Sequence, residues 1–155
     1  MGSRRTVSSG SLIREEASNL GDGITQQLAH AVTLAAARVH EAWATDNTDH
    51  RFALLSEVCT EDVAYANPLN SCSGVQALAE LISDLTTAYP GHLPTRTSGI
   101  DAHHNAARYS WALRDRAGQT VLGGTEIIQF TPDAMLTSIV SFFGRPPMIR
   151  YTYRA

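Results

Sequence analysis

The chain contains no lysine: all 12 of its Lys-plus-Arg residues are arginine. That absence excludes Schiff-base chemistry and a phosphate-cradling P-loop, both of which depend on a lysine amine. Cysteine is also scarce. The two present, Cys59 and Cys72, are too few for a disulfide scaffold, and their spacing fits no zinc motif. They suit a reducing compartment, and the expected location is the cytoplasm. No Gly-x-Gly-x-x-Gly run follows a strand-like segment, so a dinucleotide fold has no support. No apolar stretch is long enough for a signal peptide or a membrane span. A net charge of −3, a pI near 6.0 and the lack of a basic stripe argue against nucleic acid as a partner.

What is present describes a soluble globular protein, since apolar residues make up 43% and charged residues 17% of the chain. A length of 155 residues is one domain with room for a proper core. Arginine in place of lysine, with abundant alanine, points to a GC-rich bacterial genome. Residues 1–22 read as a polar N-terminal tail. Met1-Gly2 with Thr6 matches a myristoylation pattern and Arg4-Arg5 is a twin arginine, yet without a second anchor the segment reads as a floppy or strapping arm. The domain is expected over 23–144. A C-terminal tail over 145–155 leaves the sheet at Arg145-Pro146-Pro147-Met148 and ends in the aromatics Tyr151 and Tyr153.

Ile24, Leu28, Val32, Ala35 and Val39 recur at helical spacing, with Trp43 near the end of that first helix. The Asp46-Asn47-Thr48-Asp49 cluster caps a second helix over His50 to Val58. Val63, Tyr65, Asn67 and Leu69 alternate along a first strand. Ser73 and Gln76 are spaced as a capping box for a third helix, ended by Pro90-Gly91. From Thr95 the period becomes alternating, with strands near Thr95–His104, Ala107–Arg114, Thr120–Phe130 and Met135–Phe143 separated by turn residues. Helices first and then a meander of strands predict an α+β fold, a curved antiparallel sheet packed against three N-terminal helices.

Glu126 stands out in this pattern. Leu122, Gly124, Glu126, Ile128 and Phe130 share one face of their strand, and every other member of that face is apolar. A carboxyl group there must be paired, hydrated in a cavity or protonated, because burying a bare charge costs several kcal/mol. Such positions raise a pKa and make an acid/base group; an edge strand or a bulge would instead leave Glu126 solvated. By the same alternation His104 shares the inward face of Ile100 and Ala102. There it is either a proton carrier or a core histidine bonded to backbone. His103 points the opposite way, so the adjacent pair does not chelate, and no metal is expected. Tyr109 and Trp111 fall on the apolar face of the next strand, as pocket wall or as core, with Arg108 opposite. Tyr65 and Asn67 place two polar tips on an apolar stripe, either to bind a substrate oxygen or to satisfy each other.

The residues Glu61-Asp62-Val63-Ala64-Tyr65-Ala66-Asn67-Pro68, Ser73-Gly74-Val75-Gln76-Ala77-Leu78, Ala102-His103-His104, Arg108-Tyr109-Ser110-Trp111, Gly124-Thr125-Glu126 and Ile139-Val140-Ser141-Phe142-Phe143 carry a resemblance. The chain resembles the SnoaL-like proteins of the nuclear transport factor 2-like superfamily over nearly everything from Ile24 to Gly144. The resemblance implies a cone whose concave sheet and helices enclose a pocket, and a homodimer. It is loose for chemistry, since the superfamily holds isomerases, cyclases, dehydratases, epoxide hydrolases and non-enzymes. Asn67 stands where ketosteroid isomerases of the superfamily carry a general-base Asp, while Glu126 falls on their oxyanion-holding Asp. SnoaL-like cyclases use an Asp in that same strand. The isomerases' first-helix Tyr has no match, and Val39, His40 and Trp43 occupy its neighbourhood. Epoxide hydrolases of the superfamily would set Arg108 inward, against its period, but Ser110 and Ser141 stand where their two aspartates belong.

Together these readings predict a cofactor-free cyclase or isomerase of secondary metabolism, acting on a small, hydrophobic, oxygenated substrate such as a polyketide. Glu126 and His104 are its catalytic candidates; Tyr65, Asn67, Trp111, Tyr109, Trp43 and Arg108 are its substrate-binding candidates. A non-catalytic ligand-binding or dimerising module is the alternative, and an epoxide hydrolase-like enzyme is a third.

Overall fold

The computed structural model describes residues 23–150; the predicted N-terminal tail, Tyr151 and Tyr153 lie outside them. The first helix, α1, spans Gln26–Ala44 and is capped by Thr25, whose hydroxyl accepts from the Leu28 N–H at 3.1 Å. Val32, Ala35, Ala36, Val39 and Ala42 form its buried stripe. The second helix, α2, spans Thr48–Val58 and is capped by Asn47, whose Oδ1 accepts from the His50 N–H at 2.9 Å. Between the two, Arg51 is fully buried. Its guanidinium donates to the Ala42 carbonyl at 2.8 Å, to the Thr45 carbonyl and to Ser83 Oγ. Those carbonyls end α1, where a helix leaves its acceptors unpaired and carries partial negative charge.

Strand β1 (Cys59–Ala66) turns at residues 67–70 into β2 (Ser71–Ser73), and α3 (Val75–Ala88) follows. The chain enters α3 through Gly74 at φ 96°, with no side-chain cap. The predicted Ser73–Gln76 box does not form, because Ser73 pairs with Ala64 in the sheet and Gln76 Nε2 donates to Glu80. Five strands complete the domain: β3 (Leu93–Arg96), β4 (Asp101–His103), β5 (Ala106–Arg114), β6 (Thr120–Phe130) and β7 (Leu136–Phe143). The strand order is β2-β1-β7-β6-β5-β3, with β4 also on β5. This is the expected α+β layout, a curved open sheet with helices over one face.

Three details differ from the sequence pattern. The sheet is mixed, because β1 lies parallel to β7; the long path through α3 and the meander is the kind of crossover a parallel neighbour requires. The first strand stops at Ala66, and Leu69 is 80% exposed in the turn beyond it. The strand predicted over Thr95–His104 is two, because Ser98 interrupts the ladder by accepting the Ser110 N–H on its own Oγ at 2.8 Å. Irregular register between β6 and β7 at Gln129/Phe130, and between β1 and β7, accompanies the curvature. Leu55, Leu78, Ile82, Ile128, Leu136 and Ile139 fill the interface of helices and sheet. Among the described residues no helix is long and apolar enough to cross a membrane.

Gly124 marks the tightest approach within the sheet. A Cβ there would fall on the Phe142 carbonyl oxygen and within 3.0 Å of Trp111 Cζ2. Backbone cannot retreat as a side chain can. Gly124→Ala is therefore expected to cost about 2–3 kcal/mol in urea unfolding. Gly99→Ala, with nothing within 4 Å of the added methyl, is expected to leave the midpoint in place.

Candidate active site

Glu126 lies mid-strand in β6, on the inner face and buried. The ladder sets Tyr109 of β5 directly across on one side and Ser141 of β7 on the other. Tyr109 donates its hydroxyl to Glu126 Oε1. Burial raises the Glu126 carboxyl above its usual 4.5, while the hydrogen bonds from Tyr109 and Ser141 oppose that shift by favouring the carboxylate. Burial is the larger effect. Among the described residues the ion pairs are Arg38 with Glu41 and Glu57, and Arg108 with Asp101. Glu126 thus has hydrogen-bond donors but no cation beside it.

The carboxyl faces a cavity of about 410 Å³ between the sheet and the helices. Trp43, Tyr65, Tyr89, Trp111 and Phe143 line it, five of the eleven aromatic residues given by four Phe, two Trp and five Tyr. Trp111 and Phe143 meet edge to face at 5.8 Å, and the Trp111 indole N–H is buried in that wall without a hydrogen-bond partner among the described residues. Tyr65 is buried beside Asn67, and burial pushes its phenol up to about 12. Asn67 Nδ2 donates to the Tyr65 hydroxyl oxygen at 3.2 Å, while Asn67 Oδ1 accepts from the Leu69 and Asn70 N–H groups at 2.9 and 2.8 Å. Asn67 therefore ties the turn and orients Tyr65, whose own hydroxyl hydrogen stays available to a ligand.

Comparison with protein-family models and with curated proteins gives no match. Solved structures do match. A protein of Agrobacterium tumefaciens, provisionally named an isomerase of the SnoaL-like family, superposes with a TM-score of 0.70 at 25% identity, covering 75% of this chain and 99% of that one. A protein of Methylobium petroleophilum with a cystatin-like fold and unknown function gives 0.61 at 15% identity, over 80% and 82% of the two chains. A provisionally named SnoaL-like polyketide cyclase of Jannaschia gives 0.59 at 10% identity, over 74% and 85%. The chain has the SnoaL-like fold of the nuclear transport factor 2-like superfamily.

Within this SnoaL-like cone the candidate residues do not all meet. Glu126, Tyr65, Asn67, Trp43 and Trp111 line the cavity, and Tyr109 stands behind Glu126 as its donor. His104 does not reach the cavity. β4 ends at His103, and His104 takes the hairpin turn at φ 48°, where strand alternation no longer sets its direction; it is exposed, with its ring against His103. Arg108 follows its period and points outward, bonded to Asp101 at 2.9 Å, so it lines nothing. That pair is exposed and worth little. Asp101 and Asp133 are both exposed, which leaves an epoxide-hydrolase carboxylate pair without members. Two residues of the site were missed from sequence. Ser141 had its signal in the β6–β7 register, and His40 in its spacing one turn before Trp43, but neither stood out on a polar-tolerant background.

The raised Glu126 pKa has a consequence for stability. A folded-state value above the unfolded one means that the folded chain holds more protons over the interval between them. Relative to Glu126→Gln, wild type is then most favoured below about pH 4.5 and loses that advantage as pH rises through the folded pKa, by up to about 1.4 kcal/mol per pH unit. Urea unfolding of the two proteins from pH 4 to 8 reads the difference. Tyr109→Phe removes a group that lowers the pKa, so the carboxyl carbon-13 titration of Glu126 is expected to move further up.

Proposed function

We propose that the protein is a cofactor-free acid/base enzyme, a SnoaL-like cyclase or isomerase acting on a small, uncharged, hydrophobic ketone of polyketide type. The observation that carries this reading is a buried carboxyl with a raised pKa and no cationic partner among the described residues, set in the wall of an aromatic cavity. A structural glutamate in an ion pair is held low; this one is shifted up by burial, the direction that makes a carboxylate a stronger base. No arginine is among the described residues lining the cavity, whose wall is mostly apolar and aromatic, which favours an uncharged substrate.

The chemistry is a proton shuttle. Glu126 as carboxylate takes a proton from the carbon beside the substrate carbonyl, the C–H electron pair becomes the enolate π bond, and charge moves to the oxygen. The Tyr65 hydroxyl donates to that oxygen as charge develops. Returning the proton at another carbon conjugated with the enolate completes an isomerisation. Attack of the enolate carbon on a second carbonyl in the same molecule breaks that C=O π bond, and the resulting alkoxide takes the proton back from Glu126 to complete a cyclisation. The aromatic wall contributes by holding one reacting conformation. The names of the A. tumefaciens and Jannaschia structures accord with this class. The binding-module alternative calls for a fixed ionic partner on Glu126 and a cone filled by side chains, and the described residues supply neither.

Solvent deuterium exchange at the α-carbon of hydrophobic ketones, 2-acetylnaphthalene among them, tests the reading by proton NMR. Wild type is expected to exchange, and Glu126→Gln to slow exchange by about 10²–10⁴-fold; equal rates in the two would remove Glu126 from the mechanism. The same reading takes the protein as a homodimer built on the outer sheet face, where Ile127 and Phe142 are exposed. Sedimentation is expected to give twice the monomer mass, and Phe142→Asp to give the monomer.

A further inference from the structure

A half-buried histidine in the cavity wall has no part in the proton transfer by Glu126. His40 comes from α1 beside Trp43 and lines the same cavity as Glu126. Its ring meets Tyr109 edge-on with centroids 6.0 Å apart, and Tyr109 is the donor to Glu126. His40 therefore stands one side chain away from the carboxyl, on the helix wall of the cone.

The other polar groups near it are mostly committed. Asn67 serves its turn and Tyr65, Asn70 Nδ2 donates to Asn67, Thr86 donates to the Ser83 carbonyl at 3.1 Å, and His92 Nδ1 is within 3.2 Å of the Pro90 carbonyl. His40 has no hydrogen-bond partner for its ring nitrogens among the described residues. The ring is half-buried on the cavity wall, so its nitrogens are open to whatever enters the cavity and free to pair with a ligand there. Burial, assisted by the positive charge of Arg96, lowers its pKa to about 4, so the ring is neutral at physiological pH with one N–H to give.

We propose that His40 is a substrate-contacting residue, whose neutral ring donates a hydrogen bond to the carbonyl oxygen of a planar aromatic ketone lying over Glu126. Planarity follows from the wall of Trp43, Tyr65, Tyr89, Trp111 and Phe143. The assignment rests on the cavity binding an oxygenated aromatic substrate, and not on proton transfer by Glu126. It gives α1 the second polar role that the sequence pattern gave to His104.

The test uses full-length protein labelled with nitrogen-15 histidine and 2-acetylnaphthalene, whose ketone oxygen only accepts. Affinity is read from quenching of tryptophan fluorescence. His40→Phe is expected to weaken binding about tenfold, and His40→Gln, which keeps a donor, to recover most of that loss. In wild type the His40 imidazole N–H resonance is expected to shift on binding. Unchanged affinity in His40→Phe, an unmoved His40 resonance, or no binding to wild type would each overturn the proposal. Should His40→Phe unfold, as judged by its urea midpoint, the wild-type resonance decides. A protein that shows the shift but exchanges no α-proton keeps His40 in place and loses the Glu126 mechanism instead.

Discussion

Glu126 sits where a carboxyl group is costly, and the arrangement around it follows from that cost. An unpaired carboxylate in an apolar wall is destabilised by desolvation, so the group is pushed toward its neutral form. Tyr109 and Ser141 return part of that cost by hydrogen bonding, one from each neighbouring strand. Two neutral donors leave the carboxyl able to exist in both protonation states, whereas an arginine in either place would have fixed it as an anion. The fold supplies what this balance needs: three adjacent strands in register, and a cavity that side chains leave open. The register itself depends on Gly124, where neighbouring strands come too close for any side chain.

The opposite wall is anchored far from the chemistry. Arg51 closes the C-terminal end of α1 from α2 and reaches Ser83 on α3, so one buried side chain joins three helices. Its charge is met directly by helix-end carbonyls, with Asp46 acting on it without a direct ion pair, which suits a site where α1 ends. Because His40 and Trp43 lie on the last turns of α1, that joint also fixes the cavity's helical wall. Removal of the guanidinium would act on the site through position, without touching a ligand.

Regular alternation made the central strands legible in the sequence. Glu126, Tyr109, Trp111 and Tyr65 face where their period puts them, because long strands in the middle of a sheet have no freedom to reverse. Legibility failed at ends. His104 is one residue past β4, Asn67 one past β1, and Ser73 two short of α3, and each took a turn conformation or a short pairing that propensity does not reveal. Asn67 shows how the error arises: its side chain is inward, as alternation suggests, yet its carbonyl is held by the Leu69 and Asn70 amides. His40 was passed over for a different reason. A histidine on a helix is unremarkable until the sheet opposite it is known to bring a tyrosine and a buried carboxyl to its edge.

These failures and successes divide along a functional line. Glu126 and its neighbours Tyr109 and Ser141 stand on the middles of β5, β6 and β7, where backbone pairing holds them in place. Leu69, Tyr89 and His92, which close the cavity's outer end, come from the β1–β2 and α3–β3 turns. Turns accept insertion and substitution far more readily than paired strands do. A cone built this way can change the shape of the molecule it admits by changing its turns, while the carboxyl, its two donors and their register stay as they are. That separation offers a physical reason why one fold hosts many substrates with little sequence in common, and why strand register carries more of this chain's chemistry than any short motif.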